Sequence, residues 1–324
     1  MKTCLKFFLV IIPLFAVKME GQELSKREVQ TVLEKIPGLI SEYYVLQDKN
    51  EQIINAIKSR AASGEYGSIH SPDSLAKKLT LDLRSISNDK HLYVKYYESE
   101  NTEETFDWKA WEKQERISER NQNFGFTEIK ILHGNIGYLK IVEFMHPKRA
   151  MPTAVAAMKF LENTEGLIID LRGNGGGYGG IMNYIMNHYF DGGPTHISTT
   201  YYSDENEPPN KEYTSDLVYG KLRINTPLYI ITDHKTGSAA EFFCYTLQSF
   251  EKAKIIGQPS AGAAHLNSFY PLSENLRISI STAAPINPKT LTNWENTGVI
   301  PDVEGQGDEI EEALFLILKE TSKK

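Results

Sequence analysis

The sequence runs to 324 residues, 40% apolar and 24% charged, with a formal charge of −7 at neutral pH. That is an ordinary globular composition with room for two domains. The acidic balance, with no basic stripe, argues against a nucleic-acid partner.

The N-terminus, MKTCLKFFLVIIPLFAV, places Lys2 and Lys6 ahead of an apolar stretch from Phe7 to Val17. The stretch is too short to span a bilayer and has the layout of a secretory leader over residues 1–21, cleaved near Gly21. A secreted or periplasmic chain without stable membrane insertion is therefore expected. Loss of Cys4 with the leader leaves only Cys244 and no internal disulfide.

Residues 22–97 read as a small helical domain. VQTVLEKIPGLISEYYV carries apolar residues at helical spacing, with Pro37-Gly38 as a break or kink. EQIINAIKSRAASGEY predicts a second helix ending near Gly64, and SPDSLAKKLTLDLRSI a third, opened by Ser71-Pro72-Asp73. HLYVKYY then alternates as a strand does. The charged run 98–123 reads as a solvated helix or linker.

From 124 to about 320 the pattern becomes α/β. FGFTEIKILHGNIGYLKIVEF predicts two strands about a turn at His133-Gly134-Asn135, and PTAVAAMKFLENT a helix. GLIIDLR, PLYIITD and AKIIGQP read as buried strands alternating with helices, which implies largely parallel pairing.

Two strand-to-helix junctions carry the candidate chemistry. GNGGGYGG packs six glycines into eight residues, more than a turn needs, and offers backbone N–H groups to an anion. Gly175 to Gly180 formally fits GxGxxG, but no acid stands where a dinucleotide site requires one. The second junction holds Ser238. Ser238-Ala-Ala-Glu241 is an S-x-x-E capping box, so the serine is either a helix cap or a nucleophile. Adjacent strands feeding both junctions would make them face one crevice. HExxH, clustered Cys/His and GxSxG patterns are missing, so neither a metal site nor an α/β-hydrolase elbow is expected, and Ser238 opens no S-x-x-K dyad because Glu241 holds the +3 position.

GLIIDLRGNGGG, TGSAAEFF, IIGQPSAGAAH and NWENTGVIPDV, in this order after a three-helix preface, resemble the S41 peptidase family. The similarity is to its interphotoreceptor-retinoid-binding-protein-like branch, related to the tricorn core and lacking a PDZ domain. The resemblance implies a ClpP/crotonase-like core of ββα units behind the helical domain. It also implies a serine peptidase that acts on peptides or unfolded protein without a cofactor. By position it makes Ser238 the nucleophile, with oxyanion donors from Ala239 N–H and from Gly175 or Gly176. His91 of Asp89-Lys90-His91 becomes the base, although a lysine replaces the family's glycine, and Glu295 the orienting acid. Ala263 stands where the tail-specific branch has its lysine, so a Ser–Lys dyad is not expected. His265 is a reserve base or a substrate contact, and Glu241 is assigned to capping. A binding module for hydrophobic ligands or peptides on the same fold is the alternative function; an acyl-CoA enzyme, also possible on such a core, fits an exported chain poorly.

Overall fold

The computed structural model describes residues 23–97, 108–191, 193–204, 206–216 and 218–322; the expected leader and the first part of the 98–123 segment lie outside them. The chain opens with helices α1 (Lys26–Tyr43), α2 (Asn50–Ala62) and α3 (Pro72–Ser87), followed by strand β1 (Tyr93–Tyr96). Helix α4 (Trp108–Asn121) leads to β2 (Phe126–Leu132), β3 (Ile136–Ile141), α5 (Pro147–Phe160) and β4 (Gly166–Asp170). Then come α6 (Gly179–Asn187), β5 (His196–Tyr202), β6 (Asn210–Tyr213), β7 (Leu228–Thr232) and α7 (Ala239–Ser249). The chain closes with β8 (Lys254–Gly257), β9 (Leu266–Pro271), β10 (Leu276–Ile286), β11 (Val303–Glu304) and α8 (Glu309–Thr321).

The α/β core is a six-stranded sheet in the order β11-β8-β7-β4-β3-β2. Only the β2–β3 pair is antiparallel. Strand alternation divides its apolar residues between two faces. Leu167, Ile169, Leu228 and Ile230 meet residues of α5, α6 and α7 on one side. Ile168, Tyr229 and Ile231 meet Ala313, Leu314 and Ile317 of α8 on the other. Covering both faces is what lets these strands be uniformly apolar.

A second sheet, order β1-β10-β5-β6 with β9 also on β10, is antiparallel throughout. It completes the core of the helical region. Val32, Ile36, Ile40, Ile53, Leu75 and Leu79 pack with Leu276, Ile278 and Ile280 of β10. The N-terminal helices thus bury their apolar stripes against strands some 200 residues downstream, and this fastens residues 88–91 to the core. Helix α1 runs through Pro37 rather than breaking there. Proline removes one helical hydrogen bond, and the buried Ile36 and Ile40 on either side hold the helix in place. Nor is α4 merely solvated: its Glu119 is buried and paired with Arg149 of α5, which also reaches Glu115 at 2.8 Å. Among the described residues no helix is long and apolar enough to cross a membrane.

Candidate active site

Strands β4 and β7 are paired neighbours, so the two junctions singled out in the sequence leave the sheet side by side. Gly237 N–H donates to Asn174 O at 2.9 Å, Thr236 Oγ1 to Leu171 O at 2.9 Å, and Gly173 N–H to Asp233 Oδ1 at 3.0 Å. The loop after β8 joins them through Ala261 N–H to Thr236 O at 2.8 Å. Three consecutive strand ends therefore build one floor.

Ser238 sits on that floor at the N-terminus of α7 with φ 51° and ψ −119°. Two other serines of this chain cap helices with ordinary extended backbones: Ser25 at φ −70°, ψ 157° and Ser71 at φ −87°, ψ 127°. A cap needs only that extended geometry. A positive φ on a residue with a Cβ costs about 1–3 kcal/mol, and the ψ of −119° puts Ser238 outside the left-handed helical well that Asn88 and Phe124 occupy. The backbone at Ser238 is thus more than a cap requires.

The other half of the capping box is a larger structure than the sequence suggested. Glu241 is fully buried. Its carboxylate accepts from Ser238 N–H at 2.9 Å, Ser260 Oγ at 2.6 Å, Gly262 N–H at 2.5 Å and Ala263 N–H at 3.0 Å. It therefore ties the Ser238 turn to the 260–265 loop. Ala263, in the position of the missing lysine, serves this hub through its backbone.

The glycine run reaches Ser238 at Gly176. A Cβ there would lie 2.8 Å from Ser238 Cβ and 2.9 Å from Ala239 N, and its φ of +113° already favours glycine. Gly176 N–H itself donates to Asn174 Oδ1 at 2.9 Å, so this expected oxyanion donor is engaged within its own turn. Gly177 borders the cavity beside Ser238 and Ala239, whereas Gly175 is not among the residues that line it.

That cavity has a volume of about 320 Å³, and both His91 and His265 line it with Ser238. Its apolar wall includes Met182, Phe242 and Trp294. Among the described residues no direct hydrogen bond joins the Ser238 hydroxyl to either imidazole. Catalytic hydrogen bonds are often long before substrate binds. Glu295 does not line the cavity; it lies behind it, accepting from Ala264 N–H at 2.7 Å and His265 N–H at 3.2 Å on one oxygen. The same oxygen lies 3.6 Å from His265 Nδ1. Glu295 thus contacts His265, the reserve candidate, and among the described residues it has no direct hydrogen bond to His91.

Asp89, which opens the Asp89-Lys90-His91 turn, is central here. It is 1% exposed. One of its oxygens accepts from His91 N–H at 2.8 Å and the other faces His265 Nδ1 at 3.3 Å. Burial pushes its carboxyl up, but the His265 contact and the His91 N–H outweigh this and hold it at about 2. Burial lowers the proton affinity of His91, which Asp89 raises and His265 and Arg84 lower further. Glu295 is pushed up by burial and by Asp89, against the pull of His265 and two backbone N–H groups. Lys90, in place of the family's glycine, points its ammonium at the Ala261 carbonyl and so pins the turn to the core. It does not line the cavity.

Comparison with known proteins supplies the lineage. Residues 135–305 match the model of peptidase family S41. Residues 24–123 match the N-terminal domain of Peptidase S41 in eukaryotic IRBP, the branch the sequence resembles. The carboxy-terminal-processing protease of Bartonella bacilliformis is 26% identical over 53% of this chain and 39% of its own length. Carboxy-terminal processing protease CtpB of Bacillus subtilis is 27% identical over 61% and 39%. The nisin-resistance protein of Lactococcus lactis is 27% identical over 60% and 64%. The chain thus spans about two fifths of the length of the two processing proteases. In structure it is similar to a presumed peptidase from Parabacteroides merdae, with TM-score 0.62 and 18% identity over 91% of this chain and 97% of that one. A lipoprotein from Streptococcus agalactiae gives TM-score 0.57 and 17% identity over 98% and 100%. With its family model covering more than half of the sequence, the chain belongs to peptidase family S41.

Proposed function

We propose that this S41 chain is a serine peptidase that cleaves peptides or unfolded protein segments through an acyl-enzyme on Ser238. The observation that carries this reading is the backbone of Ser238, held at positive φ on the wall of a cavity it shares with two histidines. His91 takes the proton of the Ser238 hydroxyl as its oxygen attacks the scissile carbonyl, then gives it to the leaving amine; water, activated in the same way, releases the acyl group. Ala239 N–H at the start of α7 is one donor to the oxyanion. Because Gly176 N–H is engaged by Asn174, we assign the second donor to the neighbouring N–H groups of the run, with Gly177 ahead of Gly175 because it borders the cavity. Glu295 acts from behind, by orienting the 264–265 backbone and the His265 ring. The cavity can take one or two side chains beside the scissile bond, and the family membership supports a peptide as the substrate. Export is proposed with it, on the leader-like pattern of Lys2, Lys6 and the Phe7–Val17 stretch.

The test is the pH dependence of kcat/KM on a fluorogenic peptide. His91 must be neutral to accept a proton, so activity falls as pH drops through its pKa. Burial lowers that pKa, so the midpoint of the acid limb is expected below that of free imidazole. His91→Ala should lower kcat/KM by about 10²–10⁴-fold. A midpoint above that of free imidazole, or full activity in His91→Ala, would remove His91 from the role. Tight uptake of an apolar ligand with no hydrolysis would favour the binding module instead.

A further inference from the structure

Three buried groups from distant parts of the chain meet beside the cavity: Asp89 after α3, His265 before β9 and Glu295 after β10. Together they connect the turn that carries His91 to the loops that carry the cavity. We propose that His265 is a positioning residue, which fixes His91 over the Ser238 pocket by clamping the Asp89 carboxylate. The proposal rests on the serine-peptidase reading for what is being positioned.

Asp89 is the shared element. With one oxygen it accepts His91 N–H at 2.8 Å, and with the other it faces His265 Nδ1 at 3.3 Å. The Asp89 N–H is held in turn by Ser87 Oγ at 3.0 Å. His265 is anchored from the opposite side, because its own N–H and that of Ala264 donate to Glu295. The path from the helical region to the core therefore runs from His91 N–H through Asp89 to the His265 ring, and from the His265 backbone N–H to Glu295. Each member is largely buried, so water competes weakly for these bonds. His91 Nδ1 and Glu295 Oε1 are buried without a hydrogen-bond partner. Among the described residues, therefore, no side-chain acid holds the His91 ring at Nδ1 as it would in a triad base. Its orientation depends on its backbone, and the backbone is held by Asp89 and by Ser279 Oγ donating to His91 O at 2.6 Å. Lys90 at the Ala261 carbonyl adds an exposed tether to the same join.

The geometry also couples charge. Asp89 and Glu295, together with Arg84 and the Tyr44 phenol that faces Asp89, are the charged or titratable groups around the two histidines. Beside His91, Asp89 raises the proton affinity of the ring and His265 lowers it. Removing His265 leaves Asp89 acting without that opposition, so protonated His91 is favoured and the acid limb of activity moves to higher pH.

The test compares His265→Ala with His265→Asn, whose side-chain N–H can take the place of Nδ1–H toward Asp89. His265→Ala is expected to lower kcat by about 10²-fold, the scale of a small misplacement of a catalytic group. KM should stay within about threefold, and the acid limb should move up. His265→Asn should recover much of kcat but keep the upward limb, since it restores the hydrogen bond and not the imidazole. A second readout needs no turnover: in a Ser238→Ala background, NMR titration of the His91 ring should show a raised midpoint on adding His265→Ala. The proposal is overturned if His265→Ala leaves both kcat and the His91 midpoint unchanged. It is also overturned if His265→Ala abolishes activity that His91→Ala retains, because His265 would then be the base itself. Hydrolysis missing from the wild type, with the NMR shift present, would instead count against the peptidase reading and leave the clamp standing.

Discussion

Ser238→Ala should lower kcat/KM for any cleaved peptide by about 10³-fold or more while leaving the melting temperature nearly unchanged. The two halves of this expectation separate a nucleophile from a cap. Replacing a cap serine by alanine costs about 1 kcal/mol of stability; replacing a nucleophile costs rate. Here Glu241 holds the Ser238 N–H, so the turn keeps that bond when the hydroxyl is gone. Ser238→Gly sharpens the contrast. Glycine accepts the 51° φ without strain, and should stabilise the fold by about 1 kcal/mol while being as inactive as alanine. Calorimetry and a continuous peptide assay on the same preparations check both. A stability loss of 2 kcal/mol in Ser238→Ala with activity retained would return Ser238 to the capping role.

Glu241→Ala is expected to be the most damaging single change to stability. It strips the acceptor from four donors, three of them backbone N–H groups in the turns that form the pocket floor. Leaving buried donors unsatisfied costs about 1–3 kcal/mol each, so a loss of several kcal/mol in total is expected. Glu241→Gln keeps one acceptor oxygen but turns an NH₂ toward the remaining donors, so it should fall between wild type and alanine. Urea unfolding followed by tryptophan fluorescence measures the cost, and activity should decline with it as the 260–265 loop loosens. A cost below about 1 kcal/mol for Glu241→Ala would mean the hub is not what holds these loops.

The parts of this arrangement that were legible in the sequence are those governed by local pattern. GLIIDLR and PLYIITD are uniformly apolar because helices cover both faces of their sheet, and this also made their parallel pairing readable. Ser238 at a helix start and the glycine-rich turn were visible as residue types, and the ordered motifs joined them. The antiparallel sheet was harder. β10 contains Pro285 and β5 is rich in threonine and tyrosine, and the pairings that join the sheet, β1 with β10 and β5 with β10, link segments far apart in the chain. Asp89 beside His265 bridges 176 positions. No window of sequence shows such a contact, and an acid two residues before a histidine reads locally as a turn. Glu241 reads as a cap because its partner at position 238 is local, while the donors at 260, 262 and 263 are supplied by the fold. The motif leaves open which N–H of the glycine run serves an oxyanion, because the dihedral angles that aim each N–H are the ones glycine leaves free.

The most direct measurement of the central claim is covalent trapping by a serine-reactive phosphonate, with the adduct located by peptide mass spectrometry. The account predicts one adduct per chain, on the peptide containing Ser238, absent in Ser238→Ala and formed much more slowly in His91→Ala. An adduct on another residue, or an unmodified Ser238 in a protein that binds an apolar ligand tightly, would contradict it.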